Sequence, residues 1–422
     1  MHLKSALYIC YFGLREPLVQ TQVLPYLRYL ANEGWKIHLL TFESGWPESY
    51  PDSDRARADL EASGIIWSAR SYSTSHSVFA KLWDIAGGVV SARRIARKNQ
   101  VRIIHGRAHV GTAIACLAAF LTRRKVLFDI RGFNPEEYVD SGHWPAGGLK
   151  FRLLKFSERV MVRCVSGFVI LTQIGRKYFF ADATHPSTDD ESLYHLPDGR
   201  PVQVIPCCVD LQRFHFNAKD ALIKDQLKSE IQLGHTERIV AHVGALGGLY
   251  PVDRILSVFA ELYRDNPKTG FLILCQNNTS LIRNQYSERG LPLANLWIGK
   301  VRPEEVPRYL SMADWGLSLK RSGYSQLSCS PTKIPEYLLA GLPVLASQGI
   351  GDTDHLLTKN RVGVIFNAFD DDSIRTAIEQ MNALSEDCGL QARCMETAVR
   401  EFDLNTIGGP RYAEIYAEMT RE

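Results

Sequence analysis

The segment SPTKIPEYLLAGLPVLAS, residues 330–347, combines residue types that could bind an anion and a hydroxyl group. Ser330 can cap a helix, and Pro331 is favoured at the first helical position. The first N–H groups of a helix are free and carry a partial positive charge, so this end could bind a phosphate. Glu336 lies about a turn and a half further along, among apolar residues that predict partial burial. A nucleotide sugar would suit both groups, with its diphosphate at the helix end and its ribose hydroxyls at the carboxylate.

The same segment predicts the elements that position these residues. Ile334, Tyr337 and Leu338 recur at helical spacing. Gly341 then stands where a helix would end, and the apolar residues 344–346 predict a short buried strand. The carboxylate is therefore expected on a helix that leads into the core.

A glycine pair earlier in the C-terminal half is a second candidate for ligand binding. Gly247 and Gly248 directly follow the apolar run RIVAHVG, and Tyr250 lies next to them. Glycines at this place would let the backbone approach a diphosphate closely. The alternative is a plain turn, because a glycine pair alone is weak evidence.

Charged residues end two apolar runs in the N-terminal half. His105 and Arg107 end the run RIIH, where an arginine could bind a phosphate or carboxylate in fork geometry; a structural ion pair is the alternative. Asp129 and Arg131 are two residues apart in FDIRG, so they share one face of a strand. They either pair with each other or line a cleft. His109 is a further candidate, although a lone histidine is more often structural.

The composition excludes several classes of protein. A chain of 422 residues is too long for a single core, so two domains are expected. The net charge of +3 is small and no long basic run occurs, so nucleic acid is not indicated as a partner. Nine cysteines without metal-like spacing favour buried free thiols in a reducing cytoplasm. The start MHLKSALYICYFGL is typical of a first strand rather than a signal peptide, and no apolar run reaches membrane-spanning length.

Strand-like and helix-like segments alternate in two series. The first contains ALYICYF, TQVLPYLRYLANEG and KIHLLTF, and the second begins with RIVAHVG. Such alternation is typical of parallel sheets with helices on both faces, so we expect two doubly wound, Rossmann-like α/β domains. We place the N-terminal domain at residues 1–210, the C-terminal domain at 211–398, and a final helix over 399–422 that packs on the N-terminal domain. The polar stretch 181–200 predicts a surface loop. A cleft between two facing domains would be the natural ligand site.

Together these segments resemble the GT-B glycosyltransferases, specifically the GT4-like retaining family and its bacterial surface-polysaccharide members. SPTKIPEYLLAGLPVLAS resembles the donor-site motif, and EPLVQTQVLPYLRYLANEGWKIHLLTFE resembles the opening loop, helix and second strand. IIHGRAH, FDIRGFNPEE, VIPCCVD and HVGALGGLY follow in the expected order, so the resemblance covers nearly the whole chain. It implies a nucleotide-sugar donor held mainly by the C-terminal domain and an acceptor held mainly by the N-terminal domain.

The resemblance also implies roles for individual residues on the donor side. Glu336 matches the second of two family glutamates, which binds the donor ribose, whereas Ser328 stands at the position of the first. Lys300 lies where the family places the nucleobase of the donor, and the backbone of Lys300 would contact that nucleobase. The candidate donor-binding residues are Gly247, Gly248, Tyr250, Lys300, Lys320, Ser328, Ser330, Pro331, Thr332, Lys333 and Glu336.

On the acceptor side, the first strand–helix loop holds Arg15 and Glu16, and this loop faces the acceptor in such enzymes. Arg107 stands where many relatives have a histidine near the sugar. The candidate acceptor-binding residues are Arg15, Glu16, His105 and His109, and the candidate catalytic residues are Arg107, Asp129 and Arg131.

The cations expected at the diphosphate are missing from their usual place. Family members commonly carry an arginine and a lysine after the first strand of the C-terminal domain, but VGALGGLYPVDR supplies only Arg254 further on. The Ser330 helix start, with Lys320, Arg321 or Lys333, would have to replace them. A helix dipole, backbone amides and cations can stabilise a leaving phosphate. Because no Asp-x-Asp motif stands at a strand end before a cleft, we expect no cofactor and no essential metal.

The expected partners are a nucleotide-diphosphate sugar and an acceptor that is a glycan, a glycolipid or a small molecule. A cytoplasmic location is expected. The cationic stretches ARRIARK and RRK either contact the inner face of the membrane peripherally or are solvated helix faces. Three other functions stay open: a GT-B sugar-nucleotide epimerase, against which Ser328 counts mildly, a soluble small-molecule glycosyltransferase, and a non-catalytic sugar-nucleotide sensor or scaffold.

Overall fold

Parallel strands and helices alternate along both halves of the chain. The structure is a computed structural model that describes residues 4–73, 78–120, 122–185, 192–214, 221–275, 279–367 and 369–421. The chain divides into two compact units, of which the first contains residues 1–206 and 404–422 and the second contains residues 207–403.

Each unit is built on one sheet. The strands of the first unit are β1 (Ser5–Cys10), β2 (Lys36–Ser44), β3 (Ile65–Tyr72), β4 (Ile103–Arg107), β5 (Lys125–Ile130), β6 (Gly167–Ile170), β7 (Leu193–His195) and β8 (Pro201–Val204). The strands of the second unit are β9 (Arg238–Val243), β10 (Thr269–Leu274), β11 (Leu296–Gly299), β12 (Trp315–Ser318), β13 (Val344–Ser347) and β14 (Gly363–Phe366).

Helices connect these strands. Those of the first unit are α1 (Pro17–Gln22), α2 (Leu24–Asn32), α3 (Ser53–Ala62), α4 (Val78–Lys98), α5 (Ala108–Phe120), α6 (Asn134–Asp140), α7 (Leu149–Cys164) and α8 (Gln173–Phe179). Those of the second unit are α9 (Ala221–Glu230), α10 (Val252–Asp265), α11 (Thr279–Glu288), α12 (Val306–Leu310), α13 (Lys333–Leu339), α14 (Thr353–Asn360), α15 (Asp371–Ser385) and α16 (Leu390–Phe402). The last helix, α17 (Gly409–Thr420), belongs to the first unit and contacts β8 and α2.

The strand orders confirm two doubly wound, Rossmann-like domains. Within the described residues, the first sheet has the order β3-β2-β1-β4-β5-β6-β8-β7 and the second has the order β11-β10-β9-β12-β13-β14. The strands pair in parallel, and β7 runs antiparallel to β8. In each sheet the order reverses beside the first strand, between β1 and β4 and between β9 and β12. Ligands of such sheets bind beyond the carboxyl ends of the strands at this reversal.

Three features differ from what the sequence pattern indicates. The predicted helix TQVLPYLRYLANEG, residues 21–34, is interrupted: α1 ends at Gln22 and α2 begins at Leu24, because the backbone of Val23 leaves the helical region and Pro25 lies at the start of the second helix. The polar stretch 181–200 contains β7, and its residues 186–191 lie outside the described ranges. The second unit runs to Asp403, five residues past the expected limit of 398, because α16 continues to Phe402.

The cysteines are free thiols, but their burial varies. Five of the nine are buried, whereas Cys164 and Cys388 are exposed. The expectation of buried thiols therefore holds for five cysteines, is only partly met by Cys116 and Cys329, and is wrong for Cys164 and Cys388.

Tyr337 connects helix α13 to the sheet of the second unit. Its hydroxyl accepts a hydrogen bond from the N–H of Val243 at 2.8 Å and donates one to the carbonyl of Leu317 at 3.1 Å. Gly316 lies under the ring, and a Cβ atom there would come within 2.4 Å of it. The hydroxyl thus links the carboxyl ends of β9 and β12, the two strands at which ligand binding is expected.

We predict that Tyr337→Phe lowers the free energy of unfolding by about 1–3 kcal/mol, because a buried N–H group and a buried carbonyl would lose their partner. Urea unfolding of the variant and of wild type measures this difference. Tyr138→Phe, which removes a hydroxyl from an exposed side chain, is the control and should unfold as wild type does. Equal stability of the Tyr337→Phe variant would contradict the structural role of the hydroxyl.

Candidate functional site

Helix α13 begins later than the sequence predicts. Thr332 is its N-cap and Lys333 its first helical residue, and no side chain caps this end. The hydroxyl of Ser330 instead accepts a hydrogen bond from the backbone N–H of Cys207 at 3.0 Å. The prediction that Ser330 caps the helix, with Pro331 at the first helical position, is therefore wrong. Ser330 holds the start of the second unit, a contact that sequence spacing does not reveal.

The end of α13 agrees with the prediction. Gly341 has a φ of +79°, and its N–H donates to the carbonyl of Leu338 at 2.9 Å. The N–H of Leu342 donates to the carbonyl of Tyr337 at 2.9 Å, which completes a Schellman motif. The late start and the fixed end leave a helix of seven residues, so Glu336 lies in its first turn.

Glu336 is held by an arginine that the sequence analysis did not find. Arg213 Nη1 lies 3.3 Å from Glu336 Oε1, and Arg213 Nη2 donates to the carbonyl of Pro303 at 2.9 Å. Burial raises the pKa of the Glu336 carboxyl, and the Arg213 guanidinium partly opposes that shift. The pair spans 123 positions of the chain, so no local motif signals it. A largely buried carboxylate fixed in this way can accept hydrogen bonds from ligand hydroxyls.

Two lysines approach the ring of Tyr250. Lys333 Nζ lies 4.5 Å and Lys320 Nζ 5.2 Å from the ring centroid. The Lys333 amine is buried and makes no hydrogen bond to the described residues. Burial and the nearby charge of Lys320 lower the pKa of Lys333 to about 7. An anionic ligand would favour the protonated form of this buried amine and so restore its positive charge.

We predict that binding of a nucleotide-diphosphate sugar is coupled to protonation of Lys333. A bound phosphate would raise the pKa of Lys333, so binding takes up a proton above pH 7 and affinity falls as pH rises past about 7. The other charged or titratable groups that act on this amine are Lys320, Cys329 and Glu336. Calorimetric titrations in buffers of different ionisation enthalpy count the protons taken up. Lys333→Met should bind more weakly and take up none at pH 8, and equal proton uptake by the variant would contradict the assignment.

A basic cavity lies at the carboxyl ends of three neighbouring strands of the second unit. Its volume is about 260 Å³. Lys320 follows β12, Ser347 ends β13 and Asn367 follows β14. Arg254 and Arg321 complete its cationic lining. A cavity of this size with arginine and lysine side chains is suited to a phosphate or diphosphate group.

The glycine turn lies directly beside this basic cavity. Gly247 and Gly248 have φ angles of +107° and +61°, a region that favours glycine, and a Cβ atom at either would meet no atom within 4 Å. A bridge joins Gly247 to Tyr250, and the N–H of Arg321 donates to the carbonyl of Leu249 at 3.0 Å. The turn thus presents open backbone next to the cations.

Two donor-side candidates, Lys300 and Ser328, do not line the basic cavity. Lys300 follows β11 and its side chain is exposed. Ser328 is fully buried, and its hydroxyl donates to the carbonyl of Ser325 at 3.1 Å. The hydroxyl of Ser328 therefore stabilises the backbone of its own segment in this structure.

In the first unit, the candidate catalytic residues form one buried cluster with His105. Arg107 on β4 lies opposite Asp129 on β5. Asp129 Oδ2 is 3.6 Å from both Arg107 Nη1 and His105 Nε2, and Asp129 Oδ1 is 3.5 Å from Arg131 Nη1. Of the two sequence-based alternatives for Asp129 and Arg131, the structure shows the ion pair.

The electrostatics of this cluster favour an ionised Asp129. Burial alone would raise its pKa, but Arg131, His105 and Arg107 outweigh that effect and hold the pKa well below its usual range. Burial also lowers the pKa of His105, so the ring is neutral near pH 7. Among the described residues of the cluster, two guanidinium groups then face one carboxylate, which leaves a net positive charge.

The remaining acceptor-side candidates lie apart from this cluster. His109 is buried in α5, and its Nε2 is 2.8 Å from Glu158 Oε2. Arg15 lies over the ring of Tyr50 at 4.2 Å, and Glu16 is an exposed residue that precedes α1. His109 thus contributes to helix packing, whereas Arg15 and Glu16 stay accessible on the first loop.

Glu43 supports that first loop and was not found from the sequence. Its carboxylate accepts the N–H of Leu14 at 2.9 and 3.0 Å and the hydroxyl of Tyr50 at 2.6 Å. The side chain is fully buried at the end of β2. It therefore fixes the segment that carries Arg15.

The described residues contain neither a metal-binding cluster nor a membrane-spanning helix. No group of three or more His, Cys, Asp or Glu side chains in those ranges is arranged to hold a metal ion. No helix within them is long and apolar enough to cross a membrane.

Comparisons with known proteins agree with this architecture. Residues 223–399 match the family model of the glycosyl transferases group 1. HepE of Anabaena, solved with UDP-glucose, is 14% identical, with a TM-score of 0.67 over 98% of this chain and 99% of that one. Sucrose-phosphate synthase from Thermosynechococcus elongatus is 15% identical, with a TM-score of 0.72 over 98% and 99%. WaaG, a glycosyltransferase involved in lipopolysaccharide biosynthesis, is 13% identical, with a TM-score of 0.64 over 99% and 100%. No curated protein sequence gives a significant match.

The chain has the GT-B fold. Every donor-side candidate lies within the matched residues 223–399. Arg213, which holds Glu336, lies outside them. The matched region begins within the second unit and the basic cavity lies in the same unit.

Proposed function

We propose that the protein is a retaining, GT4-like glycosyltransferase that moves a sugar from a nucleotide-diphosphate sugar to an acceptor hydroxyl. The observation that carries the proposal is the basic cavity of Arg254, Lys320 and Arg321 beside the glycine turn. It offers cations and open backbone to a diphosphate, and Glu336 lies in the same unit to accept ribose hydroxyls. UDP-glucose bound to HepE of Anabaena supports this class of donor.

The chemistry follows from the charge that builds up during transfer. Breaking the bond between the anomeric carbon and the diphosphate oxygen leaves positive charge on the sugar and negative charge on the leaving phosphate. Lys320, Arg321 and Lys333 stabilise that leaving charge. The acceptor oxygen forms the new bond from the same face, and its proton passes to the departing phosphate oxygen. The products are a glycoside of the same anomeric configuration and a nucleoside diphosphate.

We assign the acceptor to the first unit and a role in polysaccharide or glycoconjugate biosynthesis in the cytoplasm. The net positive charge of the Arg107, Asp129 and Arg131 cluster supports a polar acceptor there. The resemblance of the first loop and helix to those of surface-polysaccharide enzymes supports a glycan or glycolipid acceptor.

A donor and acceptor screen tests the proposal. Purified protein is incubated with UDP-glucose, other nucleotide-diphosphate sugars and a mixture of glycan and glycolipid acceptors, and nucleoside diphosphate release is measured. The anomeric configuration of the product, read by proton NMR, decides between retention and inversion. A new sugar isomer formed without acceptor would support an epimerase instead, and the absence of turnover with every donor and acceptor would count against the proposal.

We predict that transfer continues after divalent metal is removed, because lysine and arginine side chains take the place of a metal at the leaving phosphate. The rate in excess EDTA should stay within about twofold of the untreated rate. Dialysis against EDTA followed by addition of magnesium or manganese is the control. Activity that EDTA abolishes and a metal ion restores would overturn this prediction.

A further inference from the structure

Three neighbouring helices of the first unit expose large apolar side chains. Helix α5 contacts both α4 and α7. Phe79 and Trp83 on α4 are 84% and 78% exposed, and Phe120 at the end of α5 is 87% exposed. The exposed apolar residues on the three helices are Phe79, Leu82, Trp83, Val90, Leu117, Phe120, Leu149, Leu153, Phe156 and Val160. We call this surface the docking face.

Helix α7 exposes more apolar surface than a packed surface helix usually leaves in contact with solvent. Its buried side chains are Glu158 and Met161. Glu158 pairs with His109, while Lys155 pairs with Glu136 at 2.9 Å. A surface helix normally buries its apolar stripe and exposes its charges. Here the inner side combines these ionic contacts with buried Met161 and partly buried Phe151 and Leu154, and a second apolar stripe faces outward.

The apolar side chains of α7 follow helical spacing. Leu149, Leu153, Phe156 and Val160 recur at intervals of four, three and four residues, so they form one continuous stripe. Leu149 is 74% exposed and Phe156 66%. Side chains of this size gain free energy when a partner removes them from water.

The charge on this face points to one kind of partner. Helices α4 and α7 together carry ten Lys and Arg residues and two acidic residues, whereas the whole chain has a net charge of only +3. Both acidic side chains, Asp84 and Glu158, are buried. The outward sides of the two helices therefore present cations, such as Arg152 and Arg159, among the apolar residues.

We propose that the docking face binds the surface of a bilayer that contains anionic phospholipid. The apolar stripe enters the boundary between headgroups and acyl chains, and the flanking cations contact lipid phosphates. A protein partner would supply acidic side chains at fixed positions, but the cations here are spread over two helices, which suits a fluid anionic surface. The inference rests on the proposed function in that a glycolipid acceptor would lie at this surface.

Vesicle co-sedimentation tests the docking face independently of catalysis. The full chain is mixed with phosphatidylcholine vesicles with and without phosphatidylglycerol, at low and high salt. We expect binding that requires phosphatidylglycerol and weakens with salt. The apolar variant Leu153→Ser/Phe156→Ser and the charge variant Arg152→Gln/Arg159→Gln should each lower the partition coefficient at least about tenfold.

Matched substitutions outside the docking face are the controls. Leu281→Ser on α11 and Arg55→Gln/Lys359→Gln replace exposed residues of the same types and should bind vesicles as wild type does. All variants should bind UDP-glucose, or whichever donor the screen identifies, with unchanged affinity in solution. A failure of donor binding in wild type would concern the proposed function and not the docking face.

Two results would overturn the proposal. The first is vesicle binding that is absent in wild type at low salt, or that is equal in wild type and both docking variants. The second is self-association through the same surface: a dimer of the wild type in light scattering that becomes a monomer in Leu153→Ser/Phe156→Ser, without vesicle binding, would make the face an interface between two copies of the chain.

Discussion

Lys320→Met is expected to lower kcat for sugar transfer about a hundredfold or more. Lys320 is buried, lines the basic cavity and follows β12, one of the two strands at the reversal of strand order. Removing one preorganised group that stabilises a developing negative charge commonly costs a factor of 10²–10³ in rate. Because the charge on the phosphate grows as the bond breaks, kcat should fall more than the affinity for the donor.

Steady-state kinetics with saturating acceptor separates these two quantities. Lys300→Met is the matched control, since Lys300 belongs to the same unit but is exposed. The backbone of Lys320 bonds to Ser347 through both its N–H and its carbonyl, so the substitution leaves the main-chain contacts in place. A kcat within a factor of two of wild type for Lys320→Met would exclude this lysine from the leaving-group site.

Glu336→Gln is expected to weaken binding of the nucleotide-diphosphate sugar about tenfold to a hundredfold. Hydrogen bonds to an ionised group contribute roughly 1.5–3 kcal/mol, and 1.4 kcal/mol corresponds to a factor of ten. A neutral amide accepts weaker hydrogen bonds from ribose hydroxyls, and it leaves Arg213 without its counter-ion. Isothermal titration with the nucleoside diphosphate and with the nucleotide sugar measures the loss.

A double-mutant cycle with Arg213→Gln distinguishes ribose binding from support by the ion pair. If Arg213 acts by fixing Glu336, its substitution weakens binding in wild type and has little further effect in the Glu336→Gln background. Glu305→Gln, which replaces a partly exposed glutamate just before α12, is the control. Equal donor affinities for wild type and Glu336→Gln would remove Glu336 from the ribose site.

The alternating pattern was enough to predict the two doubly wound sheets, because each parallel strand is buried on both faces and must be apolar along its length. The end of α13 could likewise be predicted from the sequence, since Gly341 occupies a left-handed backbone position that other residues adopt with strain. Both features leave their signal in residues that are close together in the chain.

The start of α13 could not be predicted from the sequence in the same way. Ser330 has the residue type of a helix cap, but the N–H of Cys207 competes for its hydroxyl in the folded protein. Local preference for capping amounts to about 1 kcal/mol, which a tertiary hydrogen bond can match. The same reasoning applies to His109, which pairs with Glu158 of another helix. This ion pair depends on how the two helices pack.

The amino-acid sequence by itself determined the two-sheet architecture, the segment that carries Glu336 and the glycine turn, because these depend on hydrophobic period and backbone preference. Only the tertiary structure decided which charges meet. Arg213 reaches Glu336, and Arg254, Lys320 and Arg321 line one cavity, although 67 positions separate the first and last of these three. Tertiary structure also decided that one of the two apolar stripes of α7 faces outward, because the opposite side of the helix packs inward and pairs with His109 of α5 and Glu136 of α6. Hydrophobic periodicity marks a face of a helix, but only packing decides whether that face meets the core or the solvent.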